Sequence, residues 1–89
     1  MIVRMYAQVT CIKCQSAKVW LGQLKIPFEI LDIYTIEGAM QQLIEWKIQT
    51  IPAFIIGDEV IGGFDKRRIL QAVAKEMNRE IADGSTHVL

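Results

Sequence analysis

Thr10-Cys11-Ile12-Lys13-Cys14 holds the only two cysteines of the chain, and it stands close behind a short apolar run, Ile2-Val3-Arg4-Met5-Tyr6. The residues after it repeat with helical periodicity. The pattern predicts a strand that leads into a Cys-x-x-Cys pair at the mouth of a helix. The first turn of a helix carries unsatisfied N–H groups and the positive end of the macrodipole. A thiolate placed there is stabilised. Cys14 lies one turn further on the same face, so it is within reach of Cys11 to close a small disulfide. Cys11 reads as the attacking sulfur and Cys14 as the resolving one.

Working outward from the pair, the first strand is expected at Ile2 to Tyr6. Apolar residues dominate both of its faces, which suits a central position in a sheet. Ala7 to Thr10 form a loop. The helix should run from about Ile12 to Leu24, with Cys14, Ala17, Leu21 and Leu24 inside and Lys13, Gln15, Lys18 and Gln23 facing water. Ile26-Pro27 closes it, because a residue before proline resists the helical region. Phe28 to Ile33 alternates as a second strand. Thr35 is placed to cap a second helix, with Glu37 in its first turn and Ile36, Ala39, Met40, Leu43 and Ile44 as its apolar face. Gly38 counts against that helix.

Ala53 to Ile56 and Glu59 to Gly62 make two more strands, joined by a tight turn at Gly57-Asp58. Gly62-Gly63 breaks the strand, and Asp65 caps a last helix with Ile69, Val73, Met77 and Ile81 on one line and Leu70 and Ala74 beside them. Asp83 to Leu89 shows little periodicity and reads as a loose tail. The division is therefore one domain over residues 1–82 and a tail over 83–89.

The expected order is β-α-β-α-β-β-α. The first β-α-β requires a parallel pair with a right-handed crossover, and the late hairpin requires an antiparallel one. A four-stranded mixed sheet with three helices on its two faces, an α/β fold, satisfies both.

Composition narrows the function. The chain has 89 residues, 52% of them apolar, and a formal net charge of zero. It is one small domain with enough apolar surface for a core. Acids and bases are scattered, with no basic stripe for a phosphate backbone, so nucleic acid is not expected as a partner. No apolar stretch is long enough to span a membrane, and no export signal precedes the first strand. A cytoplasmic location follows as the expectation. There, a cysteine pair serves catalysis or metal binding rather than acting as a staple.

Three motifs in order give the chain its resemblance to a family. They are Cys11-Ile12-Lys13-Cys14 after a strand, Thr50-Ile51-Pro52, and Gly62-Gly63-Phe64-Asp65. Together they resemble the glutaredoxins of the thioredoxin-fold superfamily, over about residues 1–82. The resemblance implies a thioredoxin-like fold and a thiol–disulfide oxidoreductase with Cys11 and Cys14 as catalytic residues. It implies a cis bond before Pro52, with Ile51 offering its backbone N–H and C=O to an extended substrate. Lys13, Thr50, Ile51, Pro52, Gly63, Phe64 and Asp65 are the substrate-binding candidates that follow from it. Asp65 and the N–H groups at its helix start would hold the charged end of an amino acid.

The chain departs from the usual glutaredoxin pattern in three places. Ile12-Lys13 replaces Pro-Tyr between the cysteines, Gln8 stands where many members have Lys, and Lys66 where many have a second Asp. Lys47 and Gln49 remain candidates to meet a glutathione carboxylate. The NrdH-type redoxins, a related branch with a glutaredoxin-like sequence, show variable residues between the cysteines and a Gly-Phe that resembles Gly63-Phe64, though their extended motif after Gly-Phe is missing here. The electron donor is therefore left between glutathione and thioredoxin reductase. The substrates are disulfide-containing proteins, ribonucleotide reductase being one candidate, or glutathione mixed disulfides. No bound cofactor or metal and a monomeric chain are expected.

The second function considered is a metal or iron–sulfur cluster carrier, acting as a dimer through Cys11. A structural zinc needs four ligands, and the chain supplies two cysteines and His87. A non-catalytic adaptor is the third, opposed by the presence of all three motifs. Trp20, Trp46 and Tyr6 are read as packing residues, and Lys66-Arg67-Arg68 as a solvated basic patch able to steer an acidic partner.

Overall fold

The computed structural model describes the backbone of residues 1–88 and the side chains of residues 1–80. It contains β1 (Val3–Ala7), α1 (Ile12–Gln23), β2 (Phe28–Asp32), α2 (Ala39–Glu45), β3 (Ala53–Ile56), β4 (Glu59–Gly62) and α3 (Lys66–Val88). This is the expected β-α-β-α-β-β-α order. The four strands form one sheet in the order β2-β1-β3-β4. β1 pairs parallel to β2, with Met5 beside Ile30, and antiparallel to β3, with Met5 beside Phe54. β3 and β4 pair antiparallel across the Gly57-Asp58 turn.

α1 and α3 cover one face. The core there joins Val3, Met5 and Phe54 of the sheet to Cys14, Ala17 and Leu21 of α1 and to Ile69, Ala72 and Val73 of α3. α2 covers the other face, where Tyr6, Ile33 and Ala53 pack against Ala39 and Leu43. The central position expected for the first strand follows: β1 has a strand on either side and a core on either face.

Both short helices end in the same way. Lys25 and Lys47 take left-handed backbone angles, each with φ 58. After α1, Ile26 N–H donates to Leu21 C=O at 3.0 Å and Lys25 N–H to Gly22 C=O at 3.1 Å. After α2, Ile48 N–H donates to Leu43 C=O at 2.9 Å and Lys47 N–H to Ile44 C=O at 3.0 Å. These are Schellman closures, which satisfy the last carbonyls of a helix. α1 therefore stops at its own C-cap, ahead of the Ile26-Pro27 break that the sequence suggested.

Several expectations are corrected. Leu24 is the C-cap of α1 and 46% exposed, so it leaves the inner stripe. Thr35 does not cap α2. Asp32 Oδ1 accepts the N–H groups of Tyr34 at 2.8 Å and Thr35 at 3.3 Å, turning that segment into an Asx turn. The helix starts only after Gly38, at φ 85, which places Ile36 and Glu37 before it. Ile36, Met40 and Ile44 are exposed, because so short a helix buries only Ala39 and Leu43.

On α3 the buried line is Ile69, Ala72 and Val73, whereas Met77 and Leu70 face water. Steps of four residues drift around a helix with 3.6 residues per turn, so Met77 stands about 80° away from Ile69. Finally, α3 continues through Asp83 and Gly84 to Val88, where a loose tail was expected. A glycine costs a helix only about 1 kcal/mol, and no proline ends this one. The side chains of Ile81 and His87 lie outside the described residues.

Candidate active site

Cys11 is the N-cap of α1, with extended backbone angles of φ −82 and ψ 113. Its Sγ accepts the N–H of Cys14 at 3.1 Å, so a sulfur fills the capping role usually taken by Ser, Thr or Asp. Its own N–H donates to Gln8 C=O at 3.1 Å, which fixes the loop after β1. Both cysteines are free thiols, Cys11 half-buried and Cys14 buried.

Cys14 is 3% exposed and packs with Ala17 and Leu21 in the larger core. Burial pushes its thiol up from 9.0 to about 11, and the neighbouring Cys11 sulfur pushes in the same direction; a hydrogen bond with the Gln8 backbone pulls the other way. The two sulfurs therefore differ in environment: one caps a helix at the surface, and the other keeps its proton in the core.

The second motif lies just ahead of β3. The Ile51–Pro52 bond is cis, as expected from the resemblance, and Pro52 is buried. Ile51 precedes the strand and is half-buried against both cores. Its backbone N–H and C=O make no backbone hydrogen bond among the described residues.

The third motif is tied to the second. Gly63 N–H donates to Pro52 C=O at 2.8 Å. Gly63 has φ 87, an angle that residues with a Cβ avoid. Thr50 lies against this turn, its Oγ1 3.5 Å from where a Cβ on Gly62 would stand. Asp65 caps α3 as expected, its Oδ1 accepting Arg68 N–H at 3.2 Å.

Phe64 turns inward. Its ring lies 5.6 Å from that of Trp20, edge to face, and 6.4 Å from that of Phe54. Cys11, Ile51 and Phe64 thus all pack on the larger core, one from each motif. Lys13 is exposed on the outer side of the first helical turn, and Lys47 closes α2 through its backbone alone, with its side chain exposed.

Two features escaped the sequence reading. A groove of about 420 Å³ lies between α1 and the start of α3, lined by Ile12, Val19, Trp20, Phe64 and Lys66 among others. The Lys66 ammonium stands 5.8 Å from the ring centre of Trp20 and 5.7 Å from that of Phe64. The signal in the sequence was an aromatic in the middle of α1 and another at the Gly-Gly turn, but nothing local shows that the two meet. A second cleft of about 420 Å³ separates α1 from the edge strand β2 and reaches Cys14. Among the described residues, no three His, Cys, Asp or Glu side chains gather as a metal site would require. No described helix is long and apolar enough to cross a membrane.

The family model for glutaredoxin matches residues 3–61, from β1 through most of β4. This chain belongs to the glutaredoxin family. Solved structures agree on the fold. A mutant of the thioredoxin-like protein BC3987 superposes with a TM-score of 0.74 at 25% identity, covering 81% of this chain and 94% of its own. The glutaredoxin-like NrdH-redoxin from Escherichia coli gives 0.75 at 22% identity, over 80% and 93% of the two chains. A glutaredoxin from Archaeoglobus fulgidus gives 0.63 at 22% identity, over 80% and 84%. No curated protein matches the chain. As a glutaredoxin with the thioredoxin-like fold, the chain carries its Cys11–Cys14 pair where a strand meets a helix, the arrangement of a redox protein.

Proposed function

We propose that this glutaredoxin is a dithiol thiol–disulfide oxidoreductase that reduces protein disulfides or glutathione mixed disulfides. The observation that carries the reading is the asymmetry of the pair: Cys11 Sγ caps α1 while Cys14 stays buried and protonated. The Cys11 thiolate attacks one sulfur of a substrate disulfide. That S–S bond breaks, a Cys11–substrate bond forms, and the departing thiolate takes a proton from water. Cys14 then gives up its proton and attacks Cys11 Sγ, the intramolecular disulfide closes, and the second substrate thiol leaves. Two electrons pass to the substrate, and an outside reductant restores the dithiol.

The unpaired backbone of Ile51 supports strand-like capture of an extended substrate beside the pair. The NrdH-redoxin of Escherichia coli, similar in fold, has a thioredoxin-like activity profile. This makes thioredoxin reductase as natural a donor as glutathione for the present chain. The chemistry needs a reducing compartment, and the cytoplasm is the one proposed.

The test is donor-dependent turnover of NADPH with a disulfide substrate, using glutathione plus its reductase in one arm and thioredoxin reductase in the other. Turnover in either arm identifies the donor, and silence in both overturns the reading. Cys11→Ser should abolish activity, while Cys14→Ser should trap mixed disulfides with protein substrates. Survival of Cys11→Ser with loss of Cys14→Ser would reverse the two roles.

A further inference from the structure

The charges of this chain cancel in sum but not in place. Lys13, Lys66, Arg67 and Arg68 stand at the end of the molecule that carries the cysteines, opposed by Asp65 alone among their sequence neighbours. At the other end, around the β3–β4 turn, charges are matched: Asp58, Glu59, Glu76 and Glu80 stand among Lys75, Arg79 and the Met1 ammonium, with Arg79 bridging to Asp58 at 3.6 Å and to Glu76 at 3.2 Å and Met1 to Glu80. None of the four cations at the cysteine end forms an ion pair among the described residues.

One of those cations is held in place. Lys66 leans over Trp20 and Phe64, where the electron-rich ring faces attract a cation. The contact restrains the side chain without neutralising it, so its N–H donors stay free for an anion. The groove below is open, with Ile12, Val19, Trp20 and Phe64 as its apolar wall and Gln15, Ser16 and Gln23 as its polar one. Ile12, adjacent to Cys11, is 80% exposed, and Val19 is 59% exposed. Large apolar side chains left bare beside a nucleophile, under a fixed cation, form a two-part receptor.

We propose that this groove docks the disulfide-bearing segment of an acidic protein, with an apolar side chain of that segment laid on Trp20 and Phe64 and a carboxylate on Lys66. The inference rests on the exchange chemistry above and adds a substrate class to it. Glutathione has carboxylates but no apolar side chain to fill the groove.

The experiment uses three peptides with the same internal cystine and flanking leucine, which differ only in carrying aspartates, asparagines or lysines beside it. Pre-reduced protein is mixed with each, and single-turnover oxidation is followed by alkylating the remaining thiols. The aspartate peptide should react about tenfold faster than the lysine peptide at low ionic strength, and salt should shrink the difference. Lys66→Glu should narrow the preference for the aspartate over the lysine peptide severalfold, a change of ratio that damage to the fold cannot produce. Rates indifferent to flanking charge, or a ratio unaltered in Lys66→Glu, overturn the proposal.

Serine-for-cysteine versions of the peptides separate docking from chemistry. The aspartate version should shift the Trp20 indole N–H resonance, and the absence of any shift counts against the groove. A shift without electron transfer from the cystine peptides would leave docking standing and remove the exchange reading. Exchange without charge dependence would do the reverse.

Discussion

At the scale of single residues, burial sets the chemistry of Cys14, which is 3% exposed. Its thiol, pushed to about 11, makes the reduced fold depend on pH. The neutral form is the one the fold favours, so the stabilisation is complete below pH 9 and is lost as pH rises towards 11. The loss should be on the order of 2 kcal/mol. Urea midpoints of the reduced protein at pH 8 and pH 10.5 measure it, and Cys14→Ala should remove most of the difference. Gly63 makes a second case. Its φ of 87 is strained for any residue with a Cβ, so Gly63→Ala should destabilise by about 1–2 kcal/mol. A midpoint unchanged in Gly63→Ala would mean that the turn relaxes. The placement of the two cysteines at a helix start was legible in the sequence because that pattern is local. The perch of Lys66 on two rings was not, since Trp20 and Phe64 come from elements far apart in the chain.

At the scale of elements, the helix ends are informative. Lysine at a left-handed position forgoes the freedom glycine has there, at a cost of about 1 kcal/mol. Lys25→Gly and Lys47→Gly should therefore each stabilise the fold by roughly 0.5–1 kcal/mol, read as a rise in urea midpoint. Either variant proving less stable would show that the lysine stem packs usefully. The central strands behave in the opposite way. Phe54 is fully buried between α1 and α3, and Phe54→Ala should cost about 3–5 kcal/mol, most of the stability a domain of this size has. Circular dichroism at room temperature would show partial or complete loss of structure. Strands, hairpin and α1 were legible because their periodicity is regular and their turns use Gly, Pro and Asp. α2 was misread because Thr35 followed by Glu37 has the pattern of a helix start, and only the folded chain shows Asp32 drawing Tyr34 and Thr35 into a turn that delays the helix until after Gly38. The apolar line of α3 was misplaced by counting in fours where the helix turns every 3.6 residues.

At the scale of the whole molecule, one sheet separates two cores, and each holds a tryptophan. Trp20 packs on the α1–α3 side, and Trp46 on the α2 side, 5.9 Å from Tyr6. Because β1 and β3 belong to both cores, the two should melt together. Trp20→Phe and Trp46→Phe leave one reporter each, and the denaturation curve from each reporter should coincide with the circular-dichroism curve of that same variant. A reporter curve displaced from its own variant's curve would mean that α2 unfolds on its own. The layered architecture was legible from element order alone, whereas the placement of charge on it was not. That placement has a consequence for handling. A molecule with no net charge near its isoelectric point of about 6.6 has little long-range repulsion between copies. The unpaired cations beside the cysteines are then free to meet an exposed carboxylate of another copy, such as Asp58, a contact that does not close on itself and so has no natural stopping size. Solutions near neutral pH should therefore turn cloudy as salt is dialysed away and clear again when it is restored.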